Sequence, residues 1–379
     1  MTDTPRAPRI LVADDQVDVL EALRLLLSDA GFEPDLVPSV QAVLDRLPQQ
    51  AYEIALIDLN YARDTTSGRE GLELLQLLRE RDPALPVVVM TGWGTIDTAV
   101  EAMRRGARSF VQKPWEDVTL LEILNRELAE SRARRRHDAR LQRESDDAQL
   151  IQRSLLPTRF PEVPGLQIAA GWRPASGVGG DCFDVLAFGD GRVALAISDV
   201  AGKGLPAALL MSNLQAAVRA FALDETRPHA VCTSVNRLLC RNMISGRFVT
   251  FCYLRLDTLG ARLTYANAGH NPPLLLRADG GVERLGASGM VLGVFPEAAY
   301  GESELALLPG DQLVVYTDGI TEALSPEGDE YGEERLIAAA RRLAGSDATT
   351  FQAGLFEDVT RFARGALQDD ATLIVALLG

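Results

Sequence analysis

The apolar residues of this chain follow one rhythm up to about residue 116 and another after about residue 159. In the first part, short continuous apolar runs occur at Arg9–Asp14 (RILVAD), Ile54–Leu59 (IALIDL), Val87–Gly92 (VVVMTG) and Ser109–Lys113 (SFVQK). Between them, Val17–Ala30 places Val19, Leu20, Leu23, Leu26 and Leu27 at helical spacing. Gly31 ends that helix as a left-handed cap, and Gly71–Asp82 and Thr95–Gly106 read as further helices. Strands that are apolar throughout and separated by helices predict a parallel, doubly wound α/β sheet covered on both faces.

Residues 117–156 contain no glycine or proline and predict one helical linker, with boundaries at 117–158. Leu120, Leu121, Leu124 and Leu128 continue the last helix of the first domain, and Leu150, Ile151, Leu155 and Leu156 resume the apolar pattern before Pro157 stops it. The centre holds Arg132, Arg134, Arg135 and Arg136, then Glu144, Asp146 and Asp147. The basic run reads as a solvated helix face. A coiled-coil homodimer through this helix is a further reading, although the apolar heptad is broken in the middle.

Residues 159–379 read as hairpins and long helices. Turn signals recur at Gly189–Gly191, Thr258–Gly260 and Asp279–Gly281, and amphipathic helices are expected at Leu205–Leu223, Pro228–Ile244, about Tyr331–Leu343 and Thr349–Ala366. Folding about Asp190 pairs Phe188 with Arg192, Val185 with Leu195, Phe183 with Ile197, and Asp181 with Asp199. Both faces of this hairpin are apolar, which predicts a sheet packed between a second sheet and helices, an α/β/β/α four-layer sandwich.

Polar residues gather at the ends of these strands. In the first domain they are Asp14, Asp15, Asp58, Thr91 and Lys113. Parallel sheets place their sites at the carboxyl ends of strands. Three carboxylates, a hydroxyl and a lysine there can hold Mg²⁺ and present one aspartate as nucleophile to a phosphoryl donor. In the second domain, opposed like charges at Asp181 and Asp199 repel unless a cation lies between them; two exposed strand-end aspartates are the alternative. Asp318-Gly319 follows the strand Gln312–Thr317, and Asp369-Asp370 precedes the strand Thr372–Leu378. If those strands are antiparallel neighbours, Asp318 and Asp369 meet at one rim, as a two-metal site requires. Strict alternation puts Asp184 on the face opposite Asp181, so it either needs a bulge to reach a metal there or acts on the site indirectly, through the residues that ligate it.

Composition narrows the function classes. The 379-residue chain has a net charge of −15, which argues against nucleic-acid binding. Four cysteines without a CxxC pair read as buried thiols in a reducing compartment, and three histidines make a His-built zinc site a poor fit. No apolar run reaches the ~18 residues of a membrane span. A cytoplasmic protein is expected.

The first-domain pattern resembles the CheY-like receiver domain of two-component response regulators, here residues 1–116 with a five-stranded sheet. The resemblance implies that Asp58 is the phosphoacceptor, that Asp14, Asp15 and the Asn60 carbonyl handle Mg²⁺, and that Thr91 and Lys113 contact the phosphoryl group. It also makes Phe110 the switch aromatic and a sensor histidine kinase the partner. The loop Tyr61–Arg69 (YARDTTSGR) departs from receivers in length and in lacking a Met-Pro pair.

In the second domain, GGDCFD, SDVAGKGLPAAL, NAGHNPPLLL, LGVF, YTDGITEA and DDATLIVAL resemble the SpoIIE/RsbU-like branch of the metal-dependent protein phosphatases, and IQRSLLP resembles its entry segment. The resemblance implies two Mn²⁺ or Mg²⁺ ions held by Asp181, Asp199, the Val200 carbonyl, Asp318 and Asp369, with Asp184 and Asp370 as further candidates. Water activated by these ions would attack a phosphoserine or phosphothreonine in line. Eukaryotic members carry a histidine acid where this chain has Ala201, so the leaving-group acid is unassigned. Lys203 reads either as a phosphate contact or as a solvated residue, and His270 as the shaper of a turn rather than a ligand. The whole reads as a response regulator whose output is a phosphatase acting on a phosphoprotein such as an anti-sigma-factor antagonist. The rival is a catalytically inactive adaptor that docks a regulatory protein.

Overall fold

The structure is a computed structural model describing residues 6–60, 69–92, 96–175, 177–189, 191–224, 227–243, 246–365 and 367–379. The atypical loop expectation for 61–69 falls, but for Arg69, outside the described residues. The chain divides into two compact units, Met1–Gln142 and Arg143–Gly379.

The first unit runs β1 (Arg9–Ala13), α1 (Val17–Asp29), β2 (Glu33–Val37), α2 (Val40–Arg46), β3 (Ile54–Asp58), α3 (Arg69–Arg81), β4 (Val87–Thr91), α4 (Ile96–Arg104) and β5 (Ser109–Gln112). Its strands form one parallel sheet in the order β2-β1-β3-β4-β5. Alternation sorts their side chains into two cores. Leu11, Ala13, Ala55, Ile57, Val87 and Val89 join one, and Ile10, Val12, Ile54, Leu56, Val88 and Met90 join the other. Gly31 has φ +86° just past α1, as its capping role requires. Gly71 is needed for a different reason: a Cβ there would lie 2.4 Å from the Leu59 Cα, so α3 touches the exit of β3 backbone to backbone.

Helix α5 (Asp117–Leu155) is continuous over 39 residues. In the first unit it buries Leu120, Leu124 and Leu128 against the sheet. The basic run is only partly solvated, since Arg132 pairs with Glu53 at 2.7 Å and Arg135 with Asp82 at 3.3 Å.

The second unit adds β6 (Leu166–Arg173), β7 (Cys182–Gly189), β8 (Arg192–Val200), α6 (Leu205–Asp224), α7 (Pro228–Asn242), β9 (Val249–Asp257), β10 (Arg262–Ala268), β11 (Leu274–Leu276), β12 (Val282–Arg284), β13 (Ser303–Ala306), β14 (Gln312–Tyr316), α8 (Asp318–Thr321), α9 (Gly332–Arg342), α10 (Ala348–Phe362) and β15 (Ala371–Leu378). Two five-stranded antiparallel sheets result, β13-β10-β9-β8-β7 and β12-β11-β14-β15-β6. Leu275, Leu313, Val315, Ile374 and Ala376 face the first sheet in a shared core that also takes in α6 and α7. Leu274, Val314, Tyr316, Leu373 and Val375 face the other way, against α9 and α10. This is the expected four-layer order.

The β7–β8 hairpin keeps Phe183 opposite Ile197 and Val185 opposite Leu195, but the expected Phe188–Arg192 pair is absent. A bulge between Ala187 and Gly189 shifts the register, so Gly189 faces Arg192. The irregularity is confined to the turn, and the register at the open end survives it.

Candidate functional site

In the first unit, the carboxyl ends of β1, β3, β4 and β5 lie side by side. Asp14 and Asp58 are buried, as is Thr91. Lys113, just beyond β5, reaches both carboxylates, with Nζ donating to Asp14 Oδ2 at 2.5 Å and Asp58 Oδ2 at 2.9 Å. Burial raises the Asp58 pKa, against the pull of Lys113. For Lys113, burial acts downward but Asp14 and Asp58 together outweigh it, so the ammonium is held above its ordinary range. Oxygen ligands of Asp14, Asp15 and Asp58 all fall within 4.8 Å of one another. Three buried oxygens there, Asp15 Oδ1, Asp58 Oδ1 and Asn60 Oδ1, have no hydrogen-bond partner. Orphaned oxygens of Asp15 and Asp58 within this carboxylate cluster fit a hard cation such as Mg²⁺. Phe110, on β5, is exposed.

The second unit builds an acidic rim where its two sheets end together. Asp199 lies near the end of β8, opposite Thr250 of β9. Asp181 precedes β7 and is 1% exposed. Its Oδ2 accepts from Thr317 Oγ1 at 2.7 Å and from Thr372 Oγ1 at 2.6 Å, so hydroxyls at the ends of β14 and β15 fix its orientation. These strands are antiparallel neighbours with Tyr316 facing Leu373, which brings Asp318, Asp369 and Asp370 to the same edge as expected.

Electrostatics record the crowding. Burial, then the carboxylates of Asp318, Asp369 and Asp370, push Asp199 up to about 7. Burial and then Asp199 raise Asp181 well above the usual carboxylate range, despite its two hydroxyl donors. Asp318 is raised by burial and then by Asp369. Carboxylates that suppress each other's ionisation in this way are suited to binding added positive charge. Backbone also approaches closely here. A Cβ on Gly180 would lie 2.7 Å from the Val200 carbonyl oxygen, and one on Gly319 would lie 2.0 Å from that of Asp370. The candidate ligands for divalent cations here are Asp181, Asp199, Asp318, Asp369 and the Val200 carbonyl; their oxygens are more widely spread than those of Asp14, Asp15 and Asp58, the group among the described residues whose ligand atoms lie within 4.8 Å of one another.

Other candidates take different places. Asp184 does not belong to the rim: its carboxylate accepts from Arg219 Nε at 2.6 Å and Nη2 at 3.2 Å. The strand has no bulge at that point, so alternation carries Asp184 to the α6 face and the expectation of a metal-ligand role is corrected. Asp370 spends its oxygens on backbone, accepting from Ala175 N at 3.0 Å and Gly180 N at 2.9 Å. It shapes the loop that carries Asp181. Lys203 is neither free nor simply solvated, because it pairs with Asp369 at 2.9 Å. His270 joins the two sheets beside the rim, with Nε2 3.1 Å from the Tyr316 carbonyl and Nδ1 2.8 Å from Thr250 Oγ1. A carbonyl can only accept, so Nε2 carries the proton and Nδ1 accepts from the hydroxyl. Burial pushes this imidazole down to about 4.

Arg219, outside the rim, was not expected from sequence, nor were three residues of the site: Thr317, Thr372 and Gln152. The last is 3% exposed on α5 and is gripped at both ends of its amide. Nε2 donates to the Gly179 carbonyl at 2.6 Å, and Oε1 accepts from the Gly179 amide at 3.0 Å. The α5 terminus is then capped from α6, where Gln215 Nε2 donates to the Leu155 carbonyl at 2.8 Å. A glutamine inside the leucine-rich run IQRSLLP was the available signal.

Comparison with known proteins agrees with both halves. Residues 10–125 match the response regulator receiver domain, and residues 189–378 match the family described as Stage II sporulation protein E (SpoIIE). Protein IcfG of Synechocystis is 31% identical over 222 residues, covering 51% of this chain and 35% of that protein. Phosphoserine phosphatase RsbU of Bacillus subtilis is 29% identical over 233 residues, covering 59% of this chain and 67% of RsbU. The chain thus spans about a third of the first relative and two thirds of the second. Among solved structures, the RsbU and RsbW domains of Rv1364c from Mycobacterium tuberculosis align with TM-score 0.52 and 29% identity, covering 59% of this chain and 63% of that one. The SiaA-PP2C domain of Pseudomonas aeruginosa aligns with TM-score 0.58 over 64% of this chain and 98% of that one; at 22% identity it speaks for the fold alone. The acidic rim thus lies in a domain of known lineage: the chain belongs to the SpoIIE family, with a response-regulator receiver domain at its front.

Proposed function

We propose that this chain is a response regulator whose output is Mn²⁺- or Mg²⁺-dependent dephosphorylation of phosphoserine or phosphothreonine on a protein. The observation that carries the reading is that Asp199, Asp318 and Asp369 share one rim with Asp181, where burial and then the carboxylates of Asp318, Asp369 and Asp370 lift Asp199 to about 7. Bound among them, divalent cations supply the charge that activates water and offsets the phosphoryl oxygens. The chain's own groups do the positioning. Thr317 and Thr372 hold one Asp181 oxygen and leave the other for the rim. Asp370 fixes the Gly180 loop, and His270, neutral at pH 7, ties β9 to β14 without adding charge beside the cations.

In the receiver, Asp58 is the phosphoacceptor, Asp14, Asp15 and Asn60 handle Mg²⁺, and Thr91 and Lys113 contact the phosphoryl group, with Phe110 as the switch aromatic. A sensor histidine kinase supplies the phosphoryl group, and α5 carries the change to the phosphatase, in the cytoplasm. The kinship with phosphoserine phosphatase RsbU supports a phosphoserine protein as substrate; the anti-sigma-factor-antagonist class follows from the sequence resemblance alone. Exposed Leu141, Leu150 and Ile151 support pairing of two copies through α5.

The test is Mn²⁺-dependent phosphate release from a phosphoserine protein by the wild type and by Asp181→Ala. Turnover abolished in the variant supports the reading. No metal-dependent turnover in the wild type would instead support an adaptor. Activity that survives in Asp181→Ala would place the site elsewhere.

A further inference from the structure

Among the described residues, Lys203 and Arg247 lie at the β8 side of the acidic rim, and they are in different states. Lys203 is neutralised, with Nζ 2.9 Å from Asp369 Oδ2 and 2.9 Å from the Gln368 carbonyl. Arg247 is not. It lies two residues before β9, whose first residue, Val249, faces Val200 in the ladder that also places Thr250 opposite Asp199. The ladder runs on past the strands, since Ala201 N donates to the Phe248 carbonyl at 2.9 Å. This sets the Arg247 guanidinium across the backbone that directly follows the Asp199–Val200 pair. Its Nη1 donates to the Ala201 carbonyl at 3.4 Å, and a Cβ on Gly202 would meet the same nitrogen at 2.8 Å. Gly202, at φ +113°, is thus a residue where both backbone conformation and close approach call for glycine. Among the described residues, no carboxylate pairs with Arg247.

A guanidinium carries five N–H donors in a planar fork and keeps its charge at any working pH. Here one donor is spent on a neutral carbonyl, and the others have no acidic partner among the described residues. Such a group matches the planar, bidentate recognition of phosphate oxygens. Beside it, Phe248 presents a side chain that is 40% exposed, an apolar surface next to the charge.

We propose that Arg247 is the phosphate-orienting residue of this site: its guanidinium takes the non-bridging oxygens of a phosphate monoester dianion brought to the carboxylate rim. The inference rests on the phosphatase reading above and adds a substrate-contacting residue to it.

The experiment titrates inorganic phosphate into the full-length, Mn²⁺-loaded chain by calorimetry, for wild type, Arg247→Ala, Arg247→Gln and Arg247→Lys. Mn²⁺ affinity is measured in parallel, along with kcat and KM on a phosphoserine peptide. Losing a charge-assisted contact is expected to weaken phosphate binding about tenfold in the Ala and Gln variants and to raise KM about as much, with Mn²⁺ affinity unchanged. The Lys variant is expected to recover only part of the loss, because it keeps the charge but not the bidentate fork. Phosphate affinity equal to wild type in both neutral variants would overturn the proposal. So would a parallel loss of Mn²⁺ affinity, which marks a mere brace for the Gly202 loop. Arg247-dependent phosphate binding in a chain without turnover would keep this anion site and sink the phosphatase reading. Turnover with Arg247-independent phosphate binding would do the reverse.

Discussion

Arg219 grips the carboxylate of Asp184 from α6, through Nε at 2.6 Å and Nη2 at 3.2 Å, so an aspartate of the GGDCFD stretch serves packing rather than the acidic rim. The Asp184 side chain is buried, while that of Arg219 remains half exposed. Asp184→Asn is therefore expected to cost about 1–2 kcal/mol of stability, screened by solvent on the arginine side. Its Mn²⁺ affinity should match wild type. Chemical denaturation and a metal titration check both parts, and loss of metal binding without loss of stability would contradict the assignment.

His270 makes stability depend on pH with a definite sign. Its imidazole is held neutral down to about 4 in the folded protein, against an ordinary value of 6.5. Between those values the unfolded chain binds the extra proton, so stability is full above about 6.5 and is lost as pH falls toward 4. The slope attributable to this group is at most about 1.4 kcal/mol per pH unit. The difference in unfolding free energy between wild type and His270→Asn should shrink at that rate between about pH 6 and pH 4. Parallel curves for the two proteins would show that His270 is not the group responsible.

In the receiver, Asp15 Oδ1 is a buried oxygen with no partner, in a cluster with Asp14 and Asp58, whose Oδ1 is likewise unpartnered. Asp15→Asn removes the charge and keeps the shape. Mg²⁺ affinity is expected to fall about tenfold, since a hard cation prefers carboxylate to amide oxygen. The titration can be followed by tryptophan fluorescence, with Trp115 two residues beyond Lys113. Unchanged affinity would place the ion elsewhere.

Gly319 faces the backbone of Asp370, with only 2.0 Å available to a Cβ. The obstacle is a carbonyl rather than a flexible side chain, so Gly319→Ala must move either the start of α8 or the chain entering β15. Destabilisation of about 1–3 kcal/mol is expected, with loss of Mn²⁺-dependent turnover because Asp318 and Asp369 flank the displaced atoms. Thermal unfolding and the phosphatase assay give the two readouts. Wild-type behaviour in both would mean that the rim is looser than this contact allows.

What could be read from sequence depended on whether a residue's partner was local or distant. The alternation along Cys182–Gly189 predicted that Asp184 points away from Asp181, and it does. That Gln312–Thr317 and Thr372–Leu378 are neighbours was only a condition in the sequence reading, and the ladder with Tyr316 opposite Leu373 meets it. Strand β2 was missed because only Val37 of its five residues is buried at that edge. Strand β6 was missed because Gly171 interrupts its apolar pattern; that glycine leaves room for Gln352 and Phe356, side chains almost two hundred residues away. Thr317, Thr372 and Gln152 lay within motifs already singled out, yet nothing local distinguishes a hydroxyl or amide that holds an aspartate loop from one that faces water. Their roles come from tertiary contacts.

The grip of Gln152 on Gly179 has a consequence for how movement of α5 would reach the rim. One amide satisfies both the carbonyl and the N–H of a single buried residue, two positions before Asp181. A helix that shifts by one residue turns by about 100° and advances about 1.5 Å, so this pairing cannot be kept through a gradual slide. Partial engagement leaves a buried peptide group unpaired, at a cost of about 1–3 kcal/mol. A movement of α5 that breaks this pairing would therefore cost about that much and release the loop that carries Asp181 from the helix.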